Sequence, residues 1–118
     1  FSKALMTDGL DYIDVSSGGV TADTRNPVGP GYNVPIAERV KKEAGIATRV
    51  VGLITTPSQA EAIVAEGKAD MVAMARAMLD DPRWGWHADD ALAAEAHCPP
   101  QYPRARPQSW RAVRDRSA

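Results

Sequence analysis

Ala69-Asp70-Met71-Val72-Ala73-Met74-Ala75-Arg76-Ala77-Met78-Leu79-Asp80-Asp81-Pro82 is the stretch that decides the fold. A short apolar run ends in a small residue, an arginine follows, and a helical pattern closes at Asp81-Pro82. That order describes a buried strand that hands Ala75-Arg76 to the mouth of a helix. A small residue there lets the backbone approach a ligand. The helix-start N–H groups face an anion, and the guanidinium adds a fork of donors. A cation at a helix N-terminus opposes the helix dipole unless an anion is nearby. The pattern therefore points to a bound phosphate. The plainer alternative is a surface arginine at a helix start.

Upstream, Thr48 to Thr55 is a continuous β-branched and apolar run, suited to a strand buried on both faces of a parallel sheet. Thr56 follows as an N-cap, with Pro57 at the first helical position and Gln59 in capping-box register. The helix turns Ala60, Ile63 and Val64 inward and stops at Glu66-Gly67. Asp70 to Ala75 is the next strand. Further upstream, Leu10 to Val15 reads as a strand that ends in Ser16-Ser17-Gly18-Gly19. A loop over 20–33, rich in Thr, Asn, Pro and Gly, separates it from a helix over Val34–Ala44. Val34, Ala37, Val40 and Ala44 share one face of that helix, and Gly45 closes it. Residues 1–9 read as the end of a helix stopped at Asp8-Gly9, and Trp84 to Ala96 as a further helix ended before Pro99-Pro100.

Strands and helices alternate, so the fold class is α/β, built from βα units with three parallel strands. An open sheet of that size leaves two edges unpaired. The first residues also carry a helical pattern with no cap before it. Both features lead us to expect the C-terminal part of a larger α/β unit.

Composition narrows the function classes. The chain has 118 residues, is 44% hydrophobic and 25% charged, and carries a net charge of −1. No global field favours nucleic acid or an anionic membrane. The tail differs, with arginines at 104, 106, 111, 114 and 116 against the single acid Asp115. This Arg-rich segment, 99–118, reads as irregular, set apart from a 1–98 body. One cysteine, Cys98, excludes an internal disulfide, and His97 beside it makes a poor metal site, so no metal is expected. With no signal-peptide pattern or long apolar stretch, the chain reads as cytoplasmic.

In βα architectures ligands sit at the C-terminal ends of strands. The first end carries Ser16, Ser17, Gly18 and Gly19. The second carries Gly52, then Thr55 and Thr56; a glycine inside a strand suggests close approach by a ligand or another backbone. The third carries Ala75 and Arg76. Strands seven and eight of a (β/α)8 barrel often share such a phosphate site. No nucleophile, base and acid set is present, so no catalytic residue is assigned. Asp14 reads as a cap of the loop behind it, and His87 as an exposed or packed helix residue.

Asp11-Tyr12-Ile13-Asp14-Val15-Ser16-Ser17-Gly18-Gly19, Pro30-Gly31-Tyr32-Asn33-Val34-Pro35, Val51-Gly52-Leu53-Ile54-Thr55, and Ala69 to Arg76 with Asp81-Pro82 occur in a specific order. That order and spacing resemble the old yellow enzyme family of FMN-dependent NAD(P)H oxidoreductases, in particular its bacterial thermophilic-like, xenobiotic reductase-like subclass. The similarity runs from residue 1 to about 104. It implies the last third of a TIM (β/α)8 barrel, strands 6–8 and the C-terminal segment. It also implies FMN as cofactor, NAD(P)H as reductant, a small activated alkene as substrate and a homo-oligomeric parent.

By this resemblance Ser16 lies near the FMN phosphate, Gly52 offers it a strand-seven N–H, and Ala75 with Arg76 matches a strand-eight Gly-Arg pair that holds it. Ala75 departs from the usual glycine. Arg104 matches an arginine that reaches a neighbouring subunit's active site, with Arg106 as its rival. The family's substrate-gripping and proton-donating residues match nothing here, so the chain on its own is expected to be inactive. Two alternatives stay open: a non-catalytic piece that assembles with a complementary half-barrel or with itself, and another phosphate-binding TIM barrel such as an aldolase or an IMP dehydrogenase relative.

Overall fold

A computed structural model describes residues 1–18, 28–95, 98–106 and 109. The expectations for Gly19, the loop over 20–27, His97 and the arginines at 111, 114 and 116 lie outside the described residues. The chain divides into two compact units, Phe1–Trp84 and Gly85–Ala118.

The first unit holds α1 (Ser2–Thr7), β1 (Tyr12–Val15), α2 (Val34–Ala44), β2 (Ala47–Val51), α3 (Pro57–Ala65), β3 (Met71–Ala73) and α4 (Arg76–Asp80). The three strands form one parallel sheet in the order β1-β2-β3. Tyr12 pairs with Ala47, Val15 with Val50, and Val51 with Ala73. Helix α5 (Trp84–Ala91) starts at the junction, and the second unit carries a 3-10 turn over Pro103–Ala105. Among the described residues no helix is long and apolar enough to cross a membrane.

Helix α2 forms where the apolar spacing places it. Pro35 sits in its first turn, and Gly45 ends it in the left-handed region at φ 71°, its N–H returning to Lys41 O at 2.9 Å. Lys41 and Lys42 occupy the last turn, where the dipole favours cations. Thr56 caps α3 by accepting from Gln59 N. Gln59 Oε1 returns to the N–H of Thr55, at 3.1 Å, one residue before the usual capping-box partner.

The core lies between one face of the sheet and α2 and α3. Val15, Ala37, Val50, Ile54, Ala60, Ile63 and Ala69 are buried together, with Ile13, Val34, Val72, Met74 and Trp84 packed around them. Burying a side chain such as Val50 or Ile63 contributes roughly 1.5–3 kcal/mol. Alternation along the pleat turns Tyr12, Asp14, Arg49 and Met71 to the opposite face. Tyr12 and Met71 are exposed there, so the expectation of strands buried on both faces is corrected: one face is covered by helices and the other is open. On the open face Arg49 donates to Asp14 through Nε at 3.2 Å and Nη2 at 2.9 Å, and its guanidinium lies 5.3 Å from the centre of the Tyr12 ring.

Two strands are shorter than the apolar runs suggest. β2 stops at Val51 because Gly52 (φ 147°) and Leu53 (φ 50°) leave the extended region. β3 begins at Met71 because Asp70 turns its carboxylate back to the N–H of Thr48, at 2.9 Å, and to Lys41 Nζ, at 2.8 Å. Val64 faces outward, 41% exposed, since it stands about 100° around α3 from the buried Ile63. Helix α5 ends at Ala91, short of Ala96, and Ala93 follows with φ 54°.

Candidate functional site

The C-terminal ends of β2 and β3 open into one cleft of about 100 Å³. Gly52, Leu53, Ile54 and Thr55 form one wall, Ala75 and Arg76 the other, and Tyr32 closes an end. Three of the residues singled out in the sequence, Gly52, Ala75 and Arg76, therefore meet. Ser16 stands exposed at the end of β1 and does not line this cleft. Arg104 lies in the second unit, exposed on the 3-10 turn, while Arg106 is half-buried and paired with Asp90. Trp86 and Tyr102 meet in the same unit with their rings tilted 57° to each other and their centres 5.4 Å apart.

The β2 wall is set by the backbone. Gly52 at φ 147° and Leu53 at φ 50° turn the chain sharply away from the strand. A Cβ on Gly52 would meet Tyr32 Cε1 at 3.0 Å and Asn33 Nδ2 at 3.2 Å, so the close approach belongs to the protein's own Pro30–Asn33 turn. Gly31 N–H donates to Gly52 O at 2.7 Å and fixes that turn against the wall. Within the same unit Trp84 Nε1 donates to Thr55 O at 3.0 Å.

The β3 wall needs no glycine. Ala75 takes φ −110° and ψ −71°, a backbone open to any L-residue, and its methyl leaves the cleft narrow but open. Arg76 begins α4 and is exposed. Among the described residues it is the one charged residue lining the cleft, and no carboxylate of theirs lines it.

Elsewhere in this unit several cations are paired with carboxylates. The hydrogen bond from Arg49 to Asp14 raises the guanidinium pKa, and places Asp14 in an ion pair on the open sheet face. The Lys41 hydrogen bond, then the Thr48 N–H, hold Asp70 below the usual carboxylate range. Lys42 lowers Glu38, while Glu43 raises Arg39 and Glu66 raises Lys68.

Sequence reasoning missed Asn33. Its side chain is fully buried, accepts from Ser17 Oγ at 2.5 Å and donates from Nδ2 to Val51 O at 2.7 Å. Asparagine before a helix ordinarily signals an N-cap, and that more familiar role conceals this one.

A cleft of about 100 Å³ is well below the roughly 300 Å³ at which pockets begin to enclose a drug-sized ligand. Two strand ends, small side chains and one guanidinium suit a compact anionic group, the end of a larger molecule. The profile of the NADH:flavin oxidoreductase / NADH oxidase family matches residues 2–95. The chain belongs to that family. An NADPH dehydrogenase of Geobacillus thermodenitrificans is 42% identical over 111 residues, 94% of this chain and 31% of the relative. One from Geobacillus sp. (strain WCH70) is 43% identical over the same length, and one from Listeria innocua 41% over 105 residues, 89% of this chain. The chain thus spans about a third of the length of the curated relatives it matches. In this flavin oxidoreductase family a TIM barrel is the fold, and the small parallel sheet with its helices is consistent with part of one.

Proposed function

We propose that this sequence supplies the phosphate end of the FMN site in an NAD(P)H-dependent ene-reductase, as strands six to eight of a (β/α)8 barrel. The observation that carries the reading is the small cleft that gathers Gly52, Ala75 and Arg76 just past the ends of two adjacent parallel strands, lined among the described residues by one cation and no acid. Arg76 would pair with the phosphate, the Gly52-Leu53 turn would bring backbone close to it, and Ala75 would leave room for it. The flavin, when bound, supplies hydride transfer from NAD(P)H to an activated C=C bond. Family membership and the NADPH dehydrogenase relatives support that chemistry. Arg104 is the candidate for contact with a neighbouring subunit, which makes the whole protein a homo-oligomer.

A protein of the relatives' length carrying these residues should purify with flavin absorbance and consume NADPH when given 2-cyclohexenone. The 118-residue chain alone should not turn over. A full-length protein that neither carries nor takes up FMN would overturn the assignment, and turnover by the short chain would overturn its inactivity.

The open sheet face favours a second reading, in which this segment assembles with a second copy of itself, as it would with a complementary half-barrel. Tyr12 and Met71 stand exposed there beside the Arg49–Asp14 pair. Sedimentation across a concentration series tests it, because a folded chain that stays monomeric removes it.

A further inference from the structure

Asn33 is the residue that no role described so far requires. It stands at the N-cap position of α2, and asparagine there normally bonds the first-turn N–H groups of its helix. It makes no such bond. Its amide reaches backwards instead: Oδ1 accepts from Ser17 Oγ at 2.5 Å and Nδ2 donates to Val51 O at 2.7 Å. The side chain is fully buried, so each bond replaces water that cannot enter. The bridge links the loop after β1 to the last residue of β2, immediately before Gly52. Two further bonds from the same turn run alongside, Gly31 N–H to Gly52 O at 2.7 Å and Tyr32 Oη–H to Ser17 O at 3.4 Å.

We propose that Asn33 is a positioning residue for phosphate recognition, setting the Gly52-Leu53 wall through its bridge between Ser17 and Val51. The proposal rests on the cleft being the phosphate end of the FMN site, and adds what makes that cleft selective for a phosphomonoester. Leu53, at φ 50°, holds a backbone conformation that a β-strand terminus does not adopt unaided. With the carbonyl of Val51 held by Nδ2, the turn that follows starts from a fixed point. Without it, the wall relaxes and the backbone bordering the cleft loses its fixed place beside an anion. Binding of the uncharged ring system elsewhere does not depend on that place.

The test compares FMN with riboflavin, which lacks the phosphate, in a protein of the relatives' length stripped of flavin. Affinities are read by flavin fluorescence for the wild type, Asn33→Leu, Ser17→Ala and the double variant. Asn33→Leu should weaken FMN about tenfold, the equivalent of one net hydrogen bond, and leave riboflavin within about twofold. Ser17→Ala should shift the same ratio in the same direction by less, and the double variant should add little to Asn33→Leu. Ser17 lies at a loop end, so its variant decides the question by the same ratio if Asn33→Leu does not fold. Equal weakening of both flavins, or an unchanged ratio in both variants, refutes the positioning role. A wild type that does not prefer FMN to riboflavin instead refutes the phosphate-site reading, and with it the role that rests on it.

Discussion

Replacing Gly52 with alanine tests the geometry of the cleft wall directly. The added Cβ would sit 3.0 and 3.1 Å from two carbons of the Tyr32 ring and 3.2 Å from Asn33 Nδ2, all closer than ordinary packing allows. The backbone adds a second term, because φ 147° is a conformation that L side chains rarely adopt. Strain of that kind costs about 1–3 kcal/mol. Overpacking against a ring that cannot move freely costs about 1–3 kcal/mol more. We expect a loss of about 3 kcal/mol. In a domain of this size, 1 kcal/mol corresponds to roughly 4–8 °C, so the thermal midpoint should fall by about 12–24 °C. Scanning calorimetry of Gly52→Ala measures it. Tyr32→Ala in the same background should relieve the steric part only, giving a coupling of about 1 kcal/mol or more in a double-mutant cycle. A midpoint lowered by less than about 2 °C, or strict additivity with Tyr32→Ala, would refute the packing argument.

Arg76→Ala should weaken FMN by about 10- to 100-fold, the range for a hydrogen bond to a charged group, without changing riboflavin affinity; fluorescence titration reads both. Thr48→Val should leave stability unchanged or raise it by up to about 1 kcal/mol in urea unfolding, because Thr48 Oγ1 is buried with no hydrogen-bond partner. Asp70 gives an acid-sensitive contribution. Its folded pKa is lowered by Lys41 and the Thr48 N–H, so the stability it contributes is present above the unfolded value of about 3.9 and is lost as pH falls through the lower folded value. The carboxylate is partly exposed, so solvent screening limits the effect to about 1 kcal/mol. Asp70→Asn should flatten the acid limb of a stability-against-pH curve, and a limb unchanged by the substitution would count against that account.

Helix α2 was legible because its apolar spacing, proline and terminal glycine all agree, and the structure places it over Val34–Ala44 as read. The parallel order of the strands followed from the alternation of elements. What hydropathy could not show is where a buried run stops being a strand. Leu53 and Ile54 are as apolar as Val50 and Val51, yet the backbone turns between them, and only Gly52 signals it. Met74 and Ala75 likewise lie beyond the end of β3, although neither takes a positive φ. At the site, Gly52 after one strand and Ala75 and Arg76 after the next stand on the cleft, while Ser16 after the first strand does not. Asn33 was not legible, because its partners lie 16 and 18 residues away and local sequence carries no trace of them.

The Arg49–Asp14 pair on the open face bears on how these strands find each other. The two residues stand directly opposite in register although 35 positions apart in the chain. A slip by one residue would set Arg49 across from Ile13 or Val15 and turn it into the helix-covered core, which burial forbids. A slip by two keeps every side chain on its proper face, so burial alone does not reject it. It would, however, leave Arg49 opposite Tyr12 or Ser16 and Asp14 opposite Ala47 or Val51. Core packing thus screens out odd misalignments and the ion pair screens out even ones, two independent proofreading steps for a contact that the chain must find across a long loop.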